Sequence, residues 1–420
     1  MIEPAGHRPD PPDDRLQDDG GDTTSHGMAR RLSRRRMLKS AGIGAAAVLL
    51  GSAAATGVRA QTNGVWVREH GDAYALWRDW QAAPGLEKLV AAGSLAANPH
   101  NIQPWSFALG ANSIEVYSDP ARAMPVSDSS GRERIAGCGC AIENLVVAAR
   151  SEDLDAAVTA WPDTDPEHIA HIDLAPGGPA TAREQELASA IAGRHTNRGP
   201  FSRRPVTSDV LESLAADAPA GAELAWVTDP GRISALGDLY VAATRSITED
   251  EQMSTEAFSW FRNDLADVER HRDGLTLNCQ GLDGFTLAMA KILPAQSRRF
   301  GDAFWLRTTR DTHTATASAY GIVRVSDVED AHDRLAGGRL LEHVHLAATA
   351  AGLAVQHMNQ VGERITREAA LRATDRFGAG WADATGIAPG QSLLGFRIGY
   401  PGRVAGPSPR RPVSDVLVTR

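Results

Sequence analysis

The chain alternates hydrophobic and polar residues in two short stretches and then becomes apolar on nearly every side. Residues 105–109 and 114–117 alternate, and Gly-Ala-Asn at 110–112 separates them. Period-two alternation on both sides of a turn sequence predicts a hairpin of two strands. Residues 133–150 follow with a dense run of Ala, Ile, Leu and Val, which predicts a buried central helix.

The second half of the chain repeats this order of features. Residues 223–228 have the pattern of a strand, residues 340–353 that of an Ala-rich helix, and residues 391–401 that of a strand ending in Gly-Tyr-Pro. Both helices carry Ala-Ala near the C-terminal end, and the shared order indicates an internal duplication. The pattern predicts an α+β fold with two fused, pseudo-repeated halves around a mostly antiparallel sheet with central helices.

A long excursion, residues 247–338, separates the strand and the helix of the second half. It sets aromatic and apolar groups among charged ones, at 260–262, 273–275 and 300–306. From the residues alone this segment is typical of a peripheral pair of helices that packs a small core of its own.

The first 60 residues are predicted to be a targeting segment rather than part of the fold. An acidic stretch at 9–22 leads into a basic run at 30–39, an uncharged Ala- and Gly-rich run at 40–58, and Val-Arg-Ala. This order is typical of an exported precursor. The alternative is a membrane span that leaves the protein anchored, since the apolar run is long enough to cross a bilayer. Met28 is a second candidate start, because residues 1–27 have the composition of a disordered tail.

The basic run resembles a twin-arginine signal. Arg34 and Arg35 follow a serine and precede Met37-Leu38-Lys39. The resemblance implies export by the twin-arginine translocase to a periplasmic or other extracytoplasmic location. That pathway carries folded proteins, so a cofactor can be inserted before the chain crosses the membrane.

The net charge and the cysteine content limit the classes of function that the chain can have. The first 60 residues hold nine of the chain's 43 Lys and Arg and seven of its 52 Asp and Glu, so residues 61–420 carry a net charge of −11. This sign disfavours a nucleic-acid partner. Cys138 and Cys140 are too close for a usual zinc pair, and with Cys279 they cannot form a closed disulfide set, which predicts free buried thiols.

Three polar motifs carry the candidate chemistry. Asn-Pro-His-Asn-Ile-Gln-Pro-Trp occupies residues 98–105, Arg-His-Thr-Asn-Arg occupies residues 194–198, and an Arg-Arg pair stands at 410–411. In an extended segment, residues 194, 196 and 198 share one face, so two guanidinium forks and a hydroxyl point the same way. Such forks bind phosphate by charge-assisted, bidentate hydrogen bonds.

These motifs together resemble the nitroreductase superfamily. Residues 101–105 resemble its Asn-x-Gln-Pro-Trp element, residues 194–198 its Arg-x-Ser/Thr-x-Arg/Lys phosphate clamp, and residues 398–411 its C-terminal strand and basic pair. Gly-Arg-Glu at 131–133 and Cys-Gly-Cys-Ala at 138–141 extend the resemblance to the Acg-like branch, over about residues 76–417. The clamp follows the Gln-Pro-Trp element here, whereas the order is reversed in an ordinary nitroreductase.

The resemblance implies a nitroreductase-like fold with one FMN completed inside a single chain, from a half at 61–193 and a half at 194–420. It therefore implies a monomer with pseudo-dimeric halves rather than an obligate dimer, and a lid-like role for the excursion. It assigns the cofactor site to Asn98, His100, Asn101, Gln103, Arg194, Thr196, Arg198, Arg410 and Arg411. Ala97 and Asn98 stand at the family's Pro-Ser positions and Pro99 lacks a backbone donor, so this contact departs from the pattern.

Two functions follow from the resemblance. The first is an oxidoreductase in which NAD(P)H passes hydride to flavin N5 and a nitroaromatic or quinone-like acceptor is then reduced; the flavin carries the chemistry, and no catalytic side chain is assigned. The second is a protein that sequesters FMN under a closed cover with little turnover. An unrelated metalloenzyme using His343 and His345 is disfavoured, because i,i+2 side chains on a helix diverge. The sequence leaves open the acceptor, the preference for NADH or NADPH, and access to the flavin.

Overall fold

A computed structural model describes residues 53–66, 69 and 71–419. The predicted twin-arginine motif and most of the apolar run at 40–58 lie outside these residues. Helix α1 (Ala53–Thr62) is the first described element and includes Ala60, the last residue of the predicted targeting segment. Among the described residues, no helix is both long enough and apolar enough to cross a bilayer.

The other helices of the described chain are distributed over both halves and the excursion. They are α2 (Ala75–Asp79), α3 (Glu87–Ser94), α4 (Arg132–Ser151), α5 (Ala182–Ala190), α6 (Ser208–Ser213), α7 (Pro230–Glu249), α8 (Glu251–Ser259), α9 (Leu265–His271), α10 (Gly284–Ile292), α11 (Arg298–Thr308), α12 (Ala331–Ala350), α13 (Gln360–Ala370), α14 (Phe377–Thr385) and α15 (Val413–Val416). A π-helical stretch, Thr309–Thr314, continues α11.

Eight strands within the described residues form two antiparallel sheets. The strands are β1 (Trp105–Leu109), β2 (Ser113–Ser118), β3 (Leu154–Ala160), β4 (His168–Pro176), β5 (Glu223–Val227), β6 (Ala319–Arg324), β7 (Ala354–His357) and β8 (Ser392–Gly399). Their orders are β1-β2-β4-β3 and β5-β6-β8-β7. The predicted α+β class is confirmed, and the strands divide between two sheets, one in each half.

The two sheets have the same connectivity. In each half the first two strands of the sheet are followed by a 20-residue helix, α4 or α12, and then by the last two strands. The two helices pack backbone to backbone: a Cβ on Gly338 would lie 2.0 Å from the Ala136 carbonyl oxygen, and one on Gly139 would lie 2.3 Å from the Leu335 carbonyl oxygen. Only glycine permits this approach, so the sequence itself fixes how the central helices cross.

The start of each central helix is capped by an aspartate. The Asp128 carboxylate accepts from the backbone N–H groups of Glu133 and Arg134 at the start of α4. Asp330 accepts from the N–H of Asp333 at the start of α12. These bonds satisfy donors that have no partner within the helix. Both helices contribute to one hydrophobic core, in which Cys138 and Cys140 are buried and free, as predicted.

The excursion is shorter than predicted. The segment 247–338 contains β6 and the first turns of α12, so the inserted helices end before Ala319. The sequence pattern missed β6 because a glycine interrupts it. A Cβ on Gly321 would lie 2.1 Å from the Phe396 ring, so the strand needs glycine at this position to pack on its neighbour.

Candidate functional site

A cleft of about 410 Å³, counted to its open mouth, lies where both halves and the excursion meet. Its walls come from residues 97–101, 194–198, 275–279 and 406–410, together with Trp77. Six of the predicted site residues line it: Asn98, Asn101, Arg194, Thr196, Arg198 and Arg410. The fold therefore brings three guanidinium groups from two distant segments, residues 194–198 and the C-terminal segment, into one cleft.

Arg194 is held rigidly in the floor of the cleft. It is 2% exposed, and its Nε lies 2.9 Å from a carboxylate oxygen of Glu342 on α12. Its Nη2 donates to the Leu95 carbonyl at 2.6 Å, and its Nη1 lies 3.4 Å from His345 Nδ1. An ion pair and two hydrogen bonds to the protein therefore anchor Arg194.

Arg410 is equally buried, and its side chain binds the loop that leads from helix α3 to Asn98. Its Nη2 donates to the Leu95 and Ala96 carbonyls at 3.1 Å, and its Nη1 donates to the Asn101 side chain. Its Nε is buried and has no hydrogen-bond partner. Burial, followed by the nearby charge of Arg194, lowers the pKa of Arg410 to about 9.

Arg198 has the fewest partners of the three. It donates from Nη1 to the Cys279 carbonyl at 3.1 Å, and among the described residues no carboxylate pairs with it. Burial lowers the pKa of its guanidinium. The excursion crosses directly over this part of the clamp, since a Cβ on Gly281 would lie 2.4 Å from the Arg198 carbonyl carbon.

Three predicted site residues do not line the cleft. Gln103 donates from Nε2 to the Arg272 carbonyl at 2.9 Å and accepts at Oε1 from the Arg411 backbone at 2.9 Å. The Arg411 side chain donates to the carbonyls of Gln103 and Asp415. These two residues hold the loop, the excursion and the C-terminal segment together, so their assignment as FMN ligands stays a prediction that the lining of the cleft does not support.

His100 is the third. It stands just behind the cleft in a left-handed backbone conformation, with φ of 46°. Burial, followed by the charge of Arg198, lowers its pKa to about 4, so it is neutral at pH 7. A positive φ recurs at Asn101 and Gln103, with values of 55° and 51°. A positive φ costs free energy in residues other than glycine. Here the hydrogen bonds of the loop maintain this backbone conformation.

Sequence reasoning missed Trp77 and Glu342. The guanidinium carbons of Arg410 and Arg194 lie 4.7 and 5.8 Å from the centroid of the Trp77 indole, whose Nε1 donates to the Ser408 carbonyl. The indole thus aligns both cations by cation–π contact. Glu342 could have been found from the sequence, because a carboxylate within the apolar run 340–353 needs a buried partner.

Sequence comparison finds similar proteins. No family model matches the sequence. The chain is 28% identical over 331 residues to the Mycobacterium tuberculosis protein named "Putative NAD(P)H nitroreductase Rv3131", covering 77% of this chain and 88% of that protein. It is also 28% identical over 292 residues to "Putative NAD(P)H nitroreductase acg" of the same species, covering 66% of this chain and 81% of that one. The chain is similar to the Acg-like nitroreductase homologues.

Solved structures give a weaker likeness. A nitroreductase with bound FMN from Desulfitobacterium hafniense DCB-2 has 14% identity and a TM-score of 0.34, over 56% of this chain and 98% of that one. The FMN- and NADPH-dependent nitroreductase NfnB of sphigopyxis sp. strain HMH has 18% identity and a TM-score of 0.33, over 56% of this chain and 98% of that one. Similarity at these TM-scores supports no argument about the site.

Neutral histidines surround the arginines of the cleft. Burial, with the charge of Arg194, lowers the pKa values of His195 and His357 to about 3. The pKa of His345 is shifted in the same direction, mainly by burial. These neutral histidines add no charge around the guanidinium groups. The charges of the three arginines therefore exceed that of Glu342, the carboxylate paired with Arg194, and the cleft is electropositive.

The two histidines of α12 have separate surroundings. His343 Nδ1 lies 3.2 Å from Glu143 Oε1, and its Nε2 bonds to the Ala216 carbonyl. His345 Nδ1 instead faces His357 Nε2 at 3.3 Å. Within the described part of the chain, no group of three or more His, Cys, Asp or Glu side chains could hold a metal ion.

Proposed function

We propose that the protein is an FMN-binding oxidoreductase of the nitroreductase type. One observation carries the proposal: Arg198 and Arg410 lie in one cleft, and no described carboxylate forms an ion pair with either. Burying an uncompensated cation is costly, and an anionic ligand removes that cost. The similarity to nitroreductase homologues supports FMN as that ligand.

The donors in the cleft suit the phosphate end of FMN. Arg198 leaves most of its N–H groups without a protein acceptor, Arg410 has a buried Nε without a partner, and Thr196 contributes a hydroxyl. A phosphate dianion offers three acceptor oxygens, and its bonds to guanidinium groups are about twice as strong as neutral ones. These three residues would hold the phosphate, and Asn98 at the same cleft could meet the adjoining ribityl chain.

A single chain provides this site. The lining residues between 97 and 101 belong to the first half, those between 194 and 198 and between 406 and 410 belong to the second, and together they form one cleft. We therefore extend the proposal to one FMN per polypeptide and to a monomer with pseudo-dimeric halves.

FMN, when bound, would supply N5 as the site that accepts hydride from NAD(P)H and passes electrons to a nitroaromatic or quinone-like acceptor. The residues of the chain bind and orient the cofactor, and the excursion limits water and substrate access to it. Nothing further is required of an acid, a base or a nucleophile in the protein.

A second candidate, FMN sequestration, is favoured by how firmly the excursion is attached. Asp273 accepts four hydrogen bonds, two from Arg122 and two from Arg262, at 2.6–3.0 Å. Leu275 and Cys279, which follow, form one wall of the cleft. A cover fixed in this way would prevent nicotinamide from stacking on the flavin.

Reduction kinetics separate the two candidates. The protein, purified with its flavin, is mixed anaerobically with NADH, with NADPH, or with dithionite, which needs no stacking space. The oxidoreductase proposal expects NAD(P)H to reduce the flavin on the timescale of turnover, since hydride transfer needs reacting atoms about 3–3.5 Å apart. Reduction by dithionite alone would support sequestration. A purified chain that neither carries nor binds FMN would overturn both.

Export completes the proposal. The motif around Arg34 and Arg35 supports delivery of the folded, FMN-loaded chain through the twin-arginine translocase to an extracytoplasmic location. Replacement of both arginines by lysine, followed by cell fractionation, tests this route.

A further inference from the structure

A buried carboxylate lies directly beneath the arginines of the cleft. Glu342 stands on the central helix α12 and is 0% exposed. Its Oε1 lies 2.9 Å from Arg194 Nε, and its Oε2 accepts from the Ala97 backbone N–H at 3.1 Å. Among the described residues it is the one carboxylate that forms an ion pair with an arginine of the cleft.

The three arginines are consequently not equivalent. A guanidinium has five N–H donors. Arg194 places its three nitrogens against Glu342, the Leu95 carbonyl and His345. Arg198 donates one hydrogen bond to the protein, to the Cys279 carbonyl, and has a full charge with no partner carboxylate in the described chain.

We propose that Glu342 is a specificity-determining residue of the FMN site. By neutralising Arg194 it makes that arginine a structural link between α12 and the loop at Ala97. It leaves Arg198, together with Arg410, to select the phosphorylated flavin over riboflavin. The inference rests on the proposed FMN site and assigns different roles to Arg194 and Arg198 within it.

The direction in which one substitution changes the affinity for FMN distinguishes this role from simple structural support. A negative charge beneath an anion site lowers its affinity for phosphate, because like charges repel across the poorly screened interior. Glu342→Gln removes that charge and should strengthen FMN binding while leaving riboflavin binding nearly unchanged. If Glu342 only held the loop in place, its loss would weaken the binding of both flavins.

The experiment measures dissociation constants for FMN and riboflavin with the flavin-free full chain. Glu143→Gln is the matched control, since Glu143 is also buried on a central helix but pairs with Arg339 and His343, outside the lining of the cleft. We expect Glu342→Gln to raise the ratio of FMN to riboflavin affinity by about tenfold. The control should leave that ratio unchanged. An unchanged or lower ratio in Glu342→Gln would overturn the inference.

A double variant keeps the test decisive if the single one does not fold. Arg194→Gln with Glu342→Gln removes both members of the buried pair, which is less destabilising than removing one. We expect its flavin preference to stay within about threefold of that of the unmodified chain, because Arg198 is intact. A preference as low as that of Arg198→Gln would show that Arg194 binds the phosphate and would overturn the inference. Failure of the proposed function is distinguished at the outset, because the unmodified chain would then show no preference for FMN.

Discussion

Asn101 and Gly274 bind each other through two hydrogen bonds of 3.0 Å, one from the Gly274 N–H to the Asn101 carbonyl and one from the Asn101 side-chain amide to the Gly274 carbonyl. The family resemblance implies that Asn101 faces the flavin, whereas the structure uses its amide to hold the excursion against the cleft. Its second amide hydrogen bond, to the Pro409 carbonyl at 2.8 Å, ties the C-terminal segment to the same point. These hydrogen bonds therefore connect the three segments that form walls of the site: the loop at Asn101, the excursion and the C-terminal segment.

The attachment of the excursion gives a first prediction. Asp273→Asn removes the carboxylate that compensates Arg122 and Arg262, so residues 260–281 should open more often and the free energy of unfolding should fall by about 2–4 kcal/mol. Hydrogen–deuterium exchange of this segment measures the opening. Asp267→Asn is the control, since that residue pairs across 3.8 Å with an exposed arginine. Equal exchange in both variants would show that the ion pairs do not hold the cover.

Loss of a phosphate ligand gives a second prediction. Arg198→Ala should weaken FMN retention by roughly 1.5–3 kcal/mol, because it removes charge-assisted hydrogen bonds to the phosphate. Arg410→Ala should weaken retention and also destabilise the chain, since it removes buried hydrogen bonds to the Leu95 and Ala96 carbonyls and to the Asn101 side chain. Arg203→Ala, on the exposed side of the clamp, is the control. Flavin fluorescence during dialysis measures retention, and the same loss in all three variants would place the phosphate elsewhere.

Acid sensitivity gives a third prediction. His195 and His357 have pKa values of about 3 in the folded chain, against about 6.5 when unfolded. The unfolded chain therefore binds protons first as the pH falls, so the stability present above pH 6.5 is lost progressively down towards pH 3. Each histidine should contribute about 1.4 kcal/mol of loss between pH 7.5 and 5.5.

Urea unfolding at the two pH values measures this loss. His357→Gln should reduce the difference between them, because one of the buried groups no longer titrates. His332→Gln, whose side chain is 66% exposed, should change nothing. An equal acid loss in His357→Gln and in the unmodified chain would contradict the assignment.

Export gives a fourth prediction. Replacing Arg34 and Arg35 with lysine should leave FMN-loaded precursor in the cytoplasm, because both lie in the proposed twin-arginine motif. Cell fractionation followed by immunoblotting measures the distribution. FMN binding by the purified variant should be unaltered. Normal export of the variant would favour the membrane-anchor alternative instead.

The hydrophobic pattern of the sequence predicted helices and strands well where tertiary packing does not override local preference. The hairpin of β1 and β2, helix α4 and strand β8 appear where alternation or apolar runs placed them. Helix α12 begins at Ala331, several residues before the expected start. Gly337 and Gly338 suggest a loop by propensity, but the close crossing with α4 requires small residues there, so tertiary packing overrides the local preference.

The site was only partly predictable for a related reason. The clamp arginines share a sequence motif, so their common cleft could be expected. Gln103 could not be placed from the sequence, because its partners Arg272 and Arg411 lie 169 and 308 residues away. Glu342 matches no cofactor motif, and its role follows from its pairing with Arg194 in the folded chain.

A calorimetric titration of the flavin-free chain with FMN and with riboflavin measures whether this cleft holds one FMN per chain through its phosphate. One equivalent of FMN should bind, about a hundredfold more tightly than riboflavin, which is the difference expected for charge-assisted bonds to a phosphate. Equal affinity for the two flavins, or two equivalents of FMN per chain, would contradict it.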